Sequence, residues 1–401
     1  IADVIVIAGN LGIEKAANFI ASEFEKTGLQ KWNDGNTYLQ SFSMVRTKAL
    51  SQKILVNGQD FDAKKAILVS PAKSLVADNN AGYELVSITS KMNFPTEARK
   101  ALGAKKNTIV LVDTAHASMF GRFAQMRSQL YSTQPNVIML LVDKAPSSFS
   151  VELKQEITEM PLANVVGLIP GKSKPNEYVI FSGHYDHLGI NSKKMENNDS
   201  IYNGARDNAV GTVAVLNAAN YFAKNPPKRS ILFALWTAEE KGLLGSAYFA
   251  NNPLVPLNQI VYNLNIDNAG YNDTSIITVI GLGRTTADFM INEAVAEFGL
   301  TAKADPSPEQ GLYDRSDNVN FARKGIPAPS FTLGFTAFDD EINKYYHKAA
   351  DEVDSFDLNY AQLYWKSYIL SAQKIANWSQ KPQWTAGDKY EEVGKKLYGN
   401  E

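Results

Sequence analysis

The stretch Tyr178-Val179-Ile180-Phe181-Ser182-Gly183-His184-Tyr185-Asp186-His187 decides how the rest of the chain is read. An apolar run of strand length stops abruptly at two imidazoles and a carboxylate. Such a run, with no polar alternation, is that of a strand covered on both faces, as in a parallel sheet between helical layers. In open α/β sheets ligands collect beyond the carboxyl ends of the strands. The residues that follow this run are therefore candidates for chemistry.

Reading outward, the pattern repeats. Asn164–Ile169, Ile231–Trp236, Ile260–Ile266, Ile276–Ile280 and Ser330–Leu333 have strand character, and helical periodicity covers about 210–223, 243–250, 285–298 and 358–377. Strand-then-helix alternation predicts an α/β domain with helices on both faces of a central sheet. Near the start, Ile13, Ala17, Ile20 and Phe24 fall on one face of a helix over 11–28 that Gly28 caps. Pro226-Pro227 and the prolines 306 and 308 mark breaks. Residues 379–401 form a polar tail without an assigned element.

Between about 45 and 160 the texture changes. Lys53–Val56 followed by Asn57-Gly58 predicts a hairpin turn. Short strands at Ile67–Val69, Ile109–Val112 and Val137–Val142 and a helix near Ser118–Tyr131 predict a smaller, β-rich α/β domain inserted into the first. It holds one histidine, His116, with no cluster of metal-binding residue types around it, so a structural role is expected there.

A chain of 401 residues exceeds what one hydrophobic core usually supports, which agrees with two domains. Forty Lys+Arg against 42 Asp+Glu leave a net charge of −2 and no electrostatic footprint for nucleic acid. No apolar run is long enough to span a bilayer. Cysteine is absent, which excludes disulfides, thiolate metal sites and a cysteine nucleophile. No Gly-x-Ser-x-Gly elbow supports a serine hydrolase.

The polar motifs that adjoin the predicted strands are His184-Tyr185-Asp186-His187, Gly204-Ala205-Arg206-Asp207-Asn208, Glu239-Glu240, Asn265-Ile266-Asp267 and Tyr345-Tyr346-His347. Imidazoles and carboxylates without thiols suit a catalytic zinc site or a similar divalent ion. Two ions ~3.5–4 Å apart need a bridging ligand, and one carboxylate can supply it. Each residue alone also has a plainer reading. Glu239-Glu240 suits the start of a helix, Asp207 suits a turn or cap, and a histidine after a strand is commonly just hydrogen-bonded.

Taken in order, the five motifs resemble those of the dizinc aminopeptidase family, metallopeptidase family 28. The match runs through His-x-Asp, Gly-Ala-x-Asp-Asn, Glu-Glu-x-Gly-Leu-x-Gly-Ser, Asn-x-Asp and Tyr-His, over roughly 164 to 378. The resemblance implies a three-layer α/β/α fold of the zinc-exopeptidase type with a mixed, largely parallel sheet. It assigns 1–44 and 161–378 to the catalytic domain and likens the insert, 45–160, to a protease-associated domain. It implies two zinc ions, one held by His184 and Asp267, the other by Glu240 and His347, with Asp207 bridging. Three ligand carboxylates and a hydroxide then balance two divalent cations. Glu239 is the implied general base, and Asp186 the residue that accepts a hydrogen bond from His184 and fixes its tautomer. His187 is a possible extra ligand, although in the resembling motif it is not one. The peptide after the bridging aspartate is cis in that family, and Asp207-Asn208 is expected to share this. Asp351 and Asp354 are candidates for organising the His347 loop or for capping the helix from 358. In Arg315-Ser316-Asp317-Asn318, Asn318 stands where the family usually has histidine.

The function implied is removal of N-terminal residues from peptides by a monomeric metallopeptidase. Alternatives on the same fold are a glutamate-carboxypeptidase-like enzyme, for which an arginine-rich pocket is the mark, and a single-zinc glutaminyl cyclase. A non-catalytic relative is disfavoured because all five ligands and the base are present. The start at Ile1 and the habit of relatives with this insert lead to the expectation of a removed signal peptide and a periplasmic or secreted protein.

Overall fold

A computed structural model describes residues 11–32, 36–125, 129–193, 195–196 and 198–399. The chain forms two compact units, Ile1–Gln40 with Ala163–Glu401, and Ser41–Leu162.

The first unit contains α1 (Leu11–Thr27), the end of β1 (Phe149–Ile169), β2 (Lys174–His184), α2 (Val210–Lys224), β3 (Arg229–Trp236), α3 (Leu244–Asn251), β4 (Ile260–Ile266), β5 (Ile276–Ile280), α4 (Asp288–Ala296), β6 (Thr301–Ala304), β7 (Ser330–Leu333) and α5 (Leu358–Asn377). Its sheet has the order β6-β5-β7-β4-β2-β3-β1. Neighbours from β7 to β3 run parallel, whereas β1 is antiparallel to β3 and β5 to β7. The sheet is therefore mixed, with a parallel centre, as the resemblance implies.

Alternate side chains of β2 serve two cores. Phe181 faces α1, α2 and α5 with Phe24, Phe222, Phe233 and Tyr368, whereas Ile180 faces α3 with Leu232, Trp236 and Phe249. Burial on both faces explains why the central strands carry unbroken apolar runs. The register places the ends of these strands side by side. His184 lies opposite Trp236, Gly183 opposite Ile266, and Ile266 opposite Phe331. Chain segments leaving β2, β3 and β4 thus start from one end of the sheet.

The α4 region and the C-terminal tail of this unit depart from the sequence reading. The helix expected over 285–298 is trimmed to α4, because the Asp288 carboxylate accepts the N–H groups of Gly283 (2.6 Å) and Thr285 (3.0 Å) and stops the helix there. The polar tail, through residue 399, is part of this unit. The buried Trp384 donates its indole N–H to Gly325 O (2.9 Å), Asp388 pairs with Arg284 (2.7 Å), and Glu391–Tyr398 is helical.

The second unit holds a four-stranded sheet in the order Ala66–Val69, Val137–Leu141, Thr108–Val112, Glu84–Ile88, with helices Phe94–Leu102 and Ala117–Gln125. The helix expected to reach Tyr131 gives way to a strand, Gln129–Tyr131. Phe94, Phe120, Val110 and Met139 form its core. Buried His116 stacks on Phe94, and its Nε2 lies 2.9 Å from Thr89 O, which accounts for it as a structural residue.

Phe181 is fully buried, and its ring centroid lies 5.8–6.1 Å from those of Phe222, Phe233 and Tyr368. Phe181→Ala is expected to cost ~3–5 kcal/mol of stability, read from denaturant unfolding of the first unit. A loss below ~1 kcal/mol would contradict this packing.

Candidate active site

Each site residue sits where a strand has just ended or on a loop that a distant side chain holds. His184 is the last residue of β2. Glu239 and Glu240 follow β3 through a turn in which Ala238 has φ 55° and Gly242 has φ 103°. The Asp186 carboxylate accepts their backbone N–H groups, at 3.0 Å from Glu239 and 3.4 Å from Glu240. Asp207 lies in the turn Ala205–Ala209, and its peptide bond to Asn208 is cis. Asp351 grips this turn from far along the chain, accepting the N–H of Arg206 (2.8 Å) and of Asp207 (3.1 Å). Asp267 follows β4 directly. His347 comes just after the helix Asp340–Tyr345, has φ 58°, and stacks against Tyr346 with ring centroids 4.0 Å apart. The Arg206 guanidinium lies 3.7 Å from the Tyr345 ring centroid, tying the Asp207 turn to the His347 loop.

These loops bring the expected residues together. His184 Nε2 lies 3.2 Å from Asp207 Oδ1 and 3.2 Å from Asp267 Oδ1. His347 Nε2 lies 3.3 Å from Asp207 Oδ2 and 3.3 Å from Glu240 Oε2. Asp207 therefore offers one oxygen to each histidine. Two atoms each ~2.0–2.1 Å from a tetrahedral zinc are ~3.3 Å apart, so the donor types and spacings on both sides of Asp207 fit such ions. Glu239, in contrast, has no histidine nitrogen within ion-pair distance among the described residues.

One assigned contact differs. Nδ1 of His184 lies 3.0 Å from the main-chain carbonyl of Asp186, and the Asp186 carboxylate is farther away, at 3.8 Å. The carboxylate is occupied with the two glutamate N–H groups, so the main-chain oxygen faces the ring nitrogen instead. Asp186 thus orients the Glu239-Glu240 turn. A sequence motif cannot tell a side-chain acceptor from a main-chain one.

The charge balance is the strongest chemical statement of the site. Burial pushes Glu239 well above the usual carboxylate range, with His184 opposing and Asp267, Asp317 and Glu240 adding to it. Burial likewise lifts Asp186 and Asp351 to about 6, and Asp317 to about 7. Burial also works against the charge on Asp207, but His184 and His347 on either side hold its carboxyl below the ordinary range. Acids crowded this closely need compensating cations to stay ionised.

Several residues singled out in the sequence take other roles, and one contributor, Asp357, was not singled out. Asp351 organises the Asp207 turn in place of the His347 loop, and Asp357 caps α5. Asp317 is fully buried and accepts from Ser246 Oγ (2.5 Å), whereas Asn318 points elsewhere, donating to the carbonyls of Tyr313 and Ala328 (both 3.2 Å). His187, the possible extra ligand, is fully buried with Nδ1 2.8 Å from Glu240 Oε1, and its donor atoms cluster with those of Asp207 and Glu240. A cavity of about 400 Å³ opens over Asp207, Glu239, Glu240, Asp267 and His347, and Ile280, Leu312, Phe335 and Phe338 are among its apolar lining residues.

The profile of Peptidase family M28 matches residues 164–368, just over half of the 401 residues. The chain belongs to this family. Probable leucine aminopeptidase 2 of Aspergillus fumigatus is 23% identical over 366 residues, covering 84% of this chain and 69% of that protein. Aminopeptidase NAALADL1 of Mus musculus is 30% identical over 139 residues, 33% of this chain and 17% of its own length. Among solved structures, the fold resembles BSAP, a zinc aminopeptidase from Bacillus subtilis, with a TM-score of 0.55, 18% identity, and coverage of 99% of this chain and 96% of that one. It also resembles the aminopeptidase from Aneurinibacillus sp. strain AM-1, with a TM-score of 0.54, 15% identity, and coverage of 95% and 94%. In this M28 chain the acidic pocket lies at the end of the sheet that the family's mixed α/β architecture provides.

Asp186→Ala removes the acceptor for two N–H groups in a nearly dry turn. Stability is expected to fall by ~1–3 kcal/mol and turnover to drop as Glu239 and Glu240 lose their fixed orientation. Unchanged unfolding and unchanged kcat would show that the turn holds itself.

Proposed function

We propose that this M28 chain is a zinc-dependent aminopeptidase that releases N-terminal residues from peptides at a two-ion site. The observation that carries the reading is Asp207, whose two oxygens face His184 and His347 separately. In this reading His184 and Asp267 hold one ion, Glu240 and His347 hold the other, and Asp207 is shared. Bound there, the ions supply Lewis acidity toward the scissile carbonyl and lower the pKa of the attacking water. Glu239 takes a proton from that water on its carboxylate and returns it to the departing amine. Burial raises the Glu239 carboxyl above the usual carboxylate range, and neighbouring cations would offset this, which suits a group that must both accept and release a proton.

The cavity supports the choice of terminus. Ile280, Leu312, Phe335 and Phe338 offer an apolar wall to the first side chain, and Glu239 is the one carboxylate among the described lining residues not assigned to a metal and so free to meet an α-ammonium. A carboxypeptidase-like site needs cationic groups for a terminal carboxylate, and Arg315 is the sole arginine or lysine among the described lining residues. The complete ligand set on both sides of Asp207 favours two ions over the single zinc of a cyclase. We further read the Ser41–Leu162 unit as a protease-associated-like domain and the enzyme as an exported monomer. Those assignments rest on the family resemblance. No helix among the described residues is long and apolar enough to cross a membrane.

Free and N-acetylated aminoacyl p-nitroanilides, assayed with added zinc, test the reaction class. Only free amines are expected to be cleaved, and equal cleavage of blocked substrates would remove the aminopeptidase reading. Glu239→Gln is expected to keep its zinc and lose at least ~10²-fold in kcat, with a smaller change in KM. Glu240→Gln is expected to lose zinc and to recover partly in excess zinc. Zinc rescue of the Glu239 variant would mean that the two roles are exchanged.

A further inference from the structure

Glu240 stands between two histidines and offers a different oxygen to each. Oε2 lies 3.3 Å from His347 Nε2, and Oε1 lies 2.8 Å from His187 Nδ1. The lengths separate the two contacts. The contacts of His184 and His347 with Asp207, Asp267 and Glu240 are all 3.2–3.3 Å, the spacing of atoms that share a tetrahedral zinc ~2.0–2.1 Å away. The His187 contact is shorter by about half an ångström and has the N···O distance of a hydrogen bond, for which ~2.8–2.9 Å is usual. The N–H does not point along this contact, so His187 Nδ1 and Nε2 and Glu240 Oε1 are all buried without an aligned hydrogen-bond partner, and the ring must turn to complete the bond.

His187 is also held where it is. It is fully buried and meets the His347 ring edge-on at 5.8 Å between centroids. On its other side is Gly204, with φ 64°, where an added Cβ would lie 2.6 Å from the imidazole Cγ. The ring is thus wedged against the turn that carries Asp207. We propose that His187 is a positioning residue for Glu240: it donates the Nδ1 proton to Oε1, leaves Oε2 free for the metal, and is not itself a ligand. This rests on the two-ion reading above. It also gives a physical reason why, of two adjacent glutamates, Glu240 is committed to a metal. Its second oxygen faces the His187 ring nitrogen at 2.8 Å, whereas Glu239 has no imidazole nitrogen within ion-pair distance among the described residues.

The test is stepwise zinc binding by competition with a chelator, on the full chain and independent of turnover. Asparagine places its Nδ2 close to the position of histidine Nδ1, whereas glutamine reaches toward the position of Nε2. His187→Asn is therefore expected to bind both zinc ions within ~3-fold of the parent, and His187→Gln to weaken one of the two by ~10–100-fold with the other unchanged. His187→Leu is expected to behave like the glutamine variant. The visible spectrum of the cobalt-substituted Asn variant should match the parent, because no ligand is lost. Loss of one zinc in the Asn variant, together with an altered cobalt spectrum, would make His187 a ligand and overturn the proposal. Parent-like binding by the Leu or Gln variant would reduce His187 to packing and overturn it equally. A parent chain that binds fewer than two ions would instead refute the two-ion reading on which the inference stands.

Discussion

The structure depends on a charge that its own residues cannot balance. β2, β3 and β4 end side by side, and the segments that leave them bring Asp186, Asp207, Glu239, Glu240 and Asp267 around His184. His347 and Asp351 join from a loop far along the chain. Little water reaches most of these groups, and burial alone drives several carboxyls toward neutrality. Cations resolve this conflict more completely than protons, because the imidazole and carboxylate spacings already suit them. The apolar sheet is the precondition. Only a rigid, doubly covered set of strands holds so many like-charged groups at fixed separations.

The loops that carry the charged groups are held by other acids, which divides the carboxylates by task. Asp186 fixes the glutamate turn, and Asp351 fixes the Asp207 turn, each through two backbone N–H groups. Asn208 and Asn268 join that turn to β4, with Asn208 donating to Ile266 O at 2.9 Å and Asn268 to Asn208 at 2.8 Å. Arg206 and Tyr345 close the remaining gap by cation–π contact. Substitutions at these holding residues therefore act on the geometry of the site without touching substrate.

Much of this could be read from the chain alone. The central strands were legible because burial on both faces demands unbroken apolar runs, and the site motifs because each adjoins such a run. What escaped detection lacks local periodicity or depends on long-range partners. One exception is the strand from Phe149, where buried Val151, Leu153 and Gln155 alternate with exposed Glu152 and Lys154, a half-buried strand period that the sequence reading passes over. The tail docks chiefly through Trp384 and Asp388, too few apolar positions to announce a helix. Asp351 acts on residues more than a hundred positions earlier, and Asp186 turned out to serve main-chain N–H groups. No motif spacing records either fact.

The central claim is that Asp207 stands between two metal ions. A crystal of zinc-loaded protein, measured above and below the zinc absorption edge, addresses it without reference to activity. The account predicts two anomalous peaks ~3.5–4 Å apart, one beside His184 and Asp267 and one beside Glu240 and His347. A single peak, or two peaks that do not flank the Asp207 carboxylate, would contradict it.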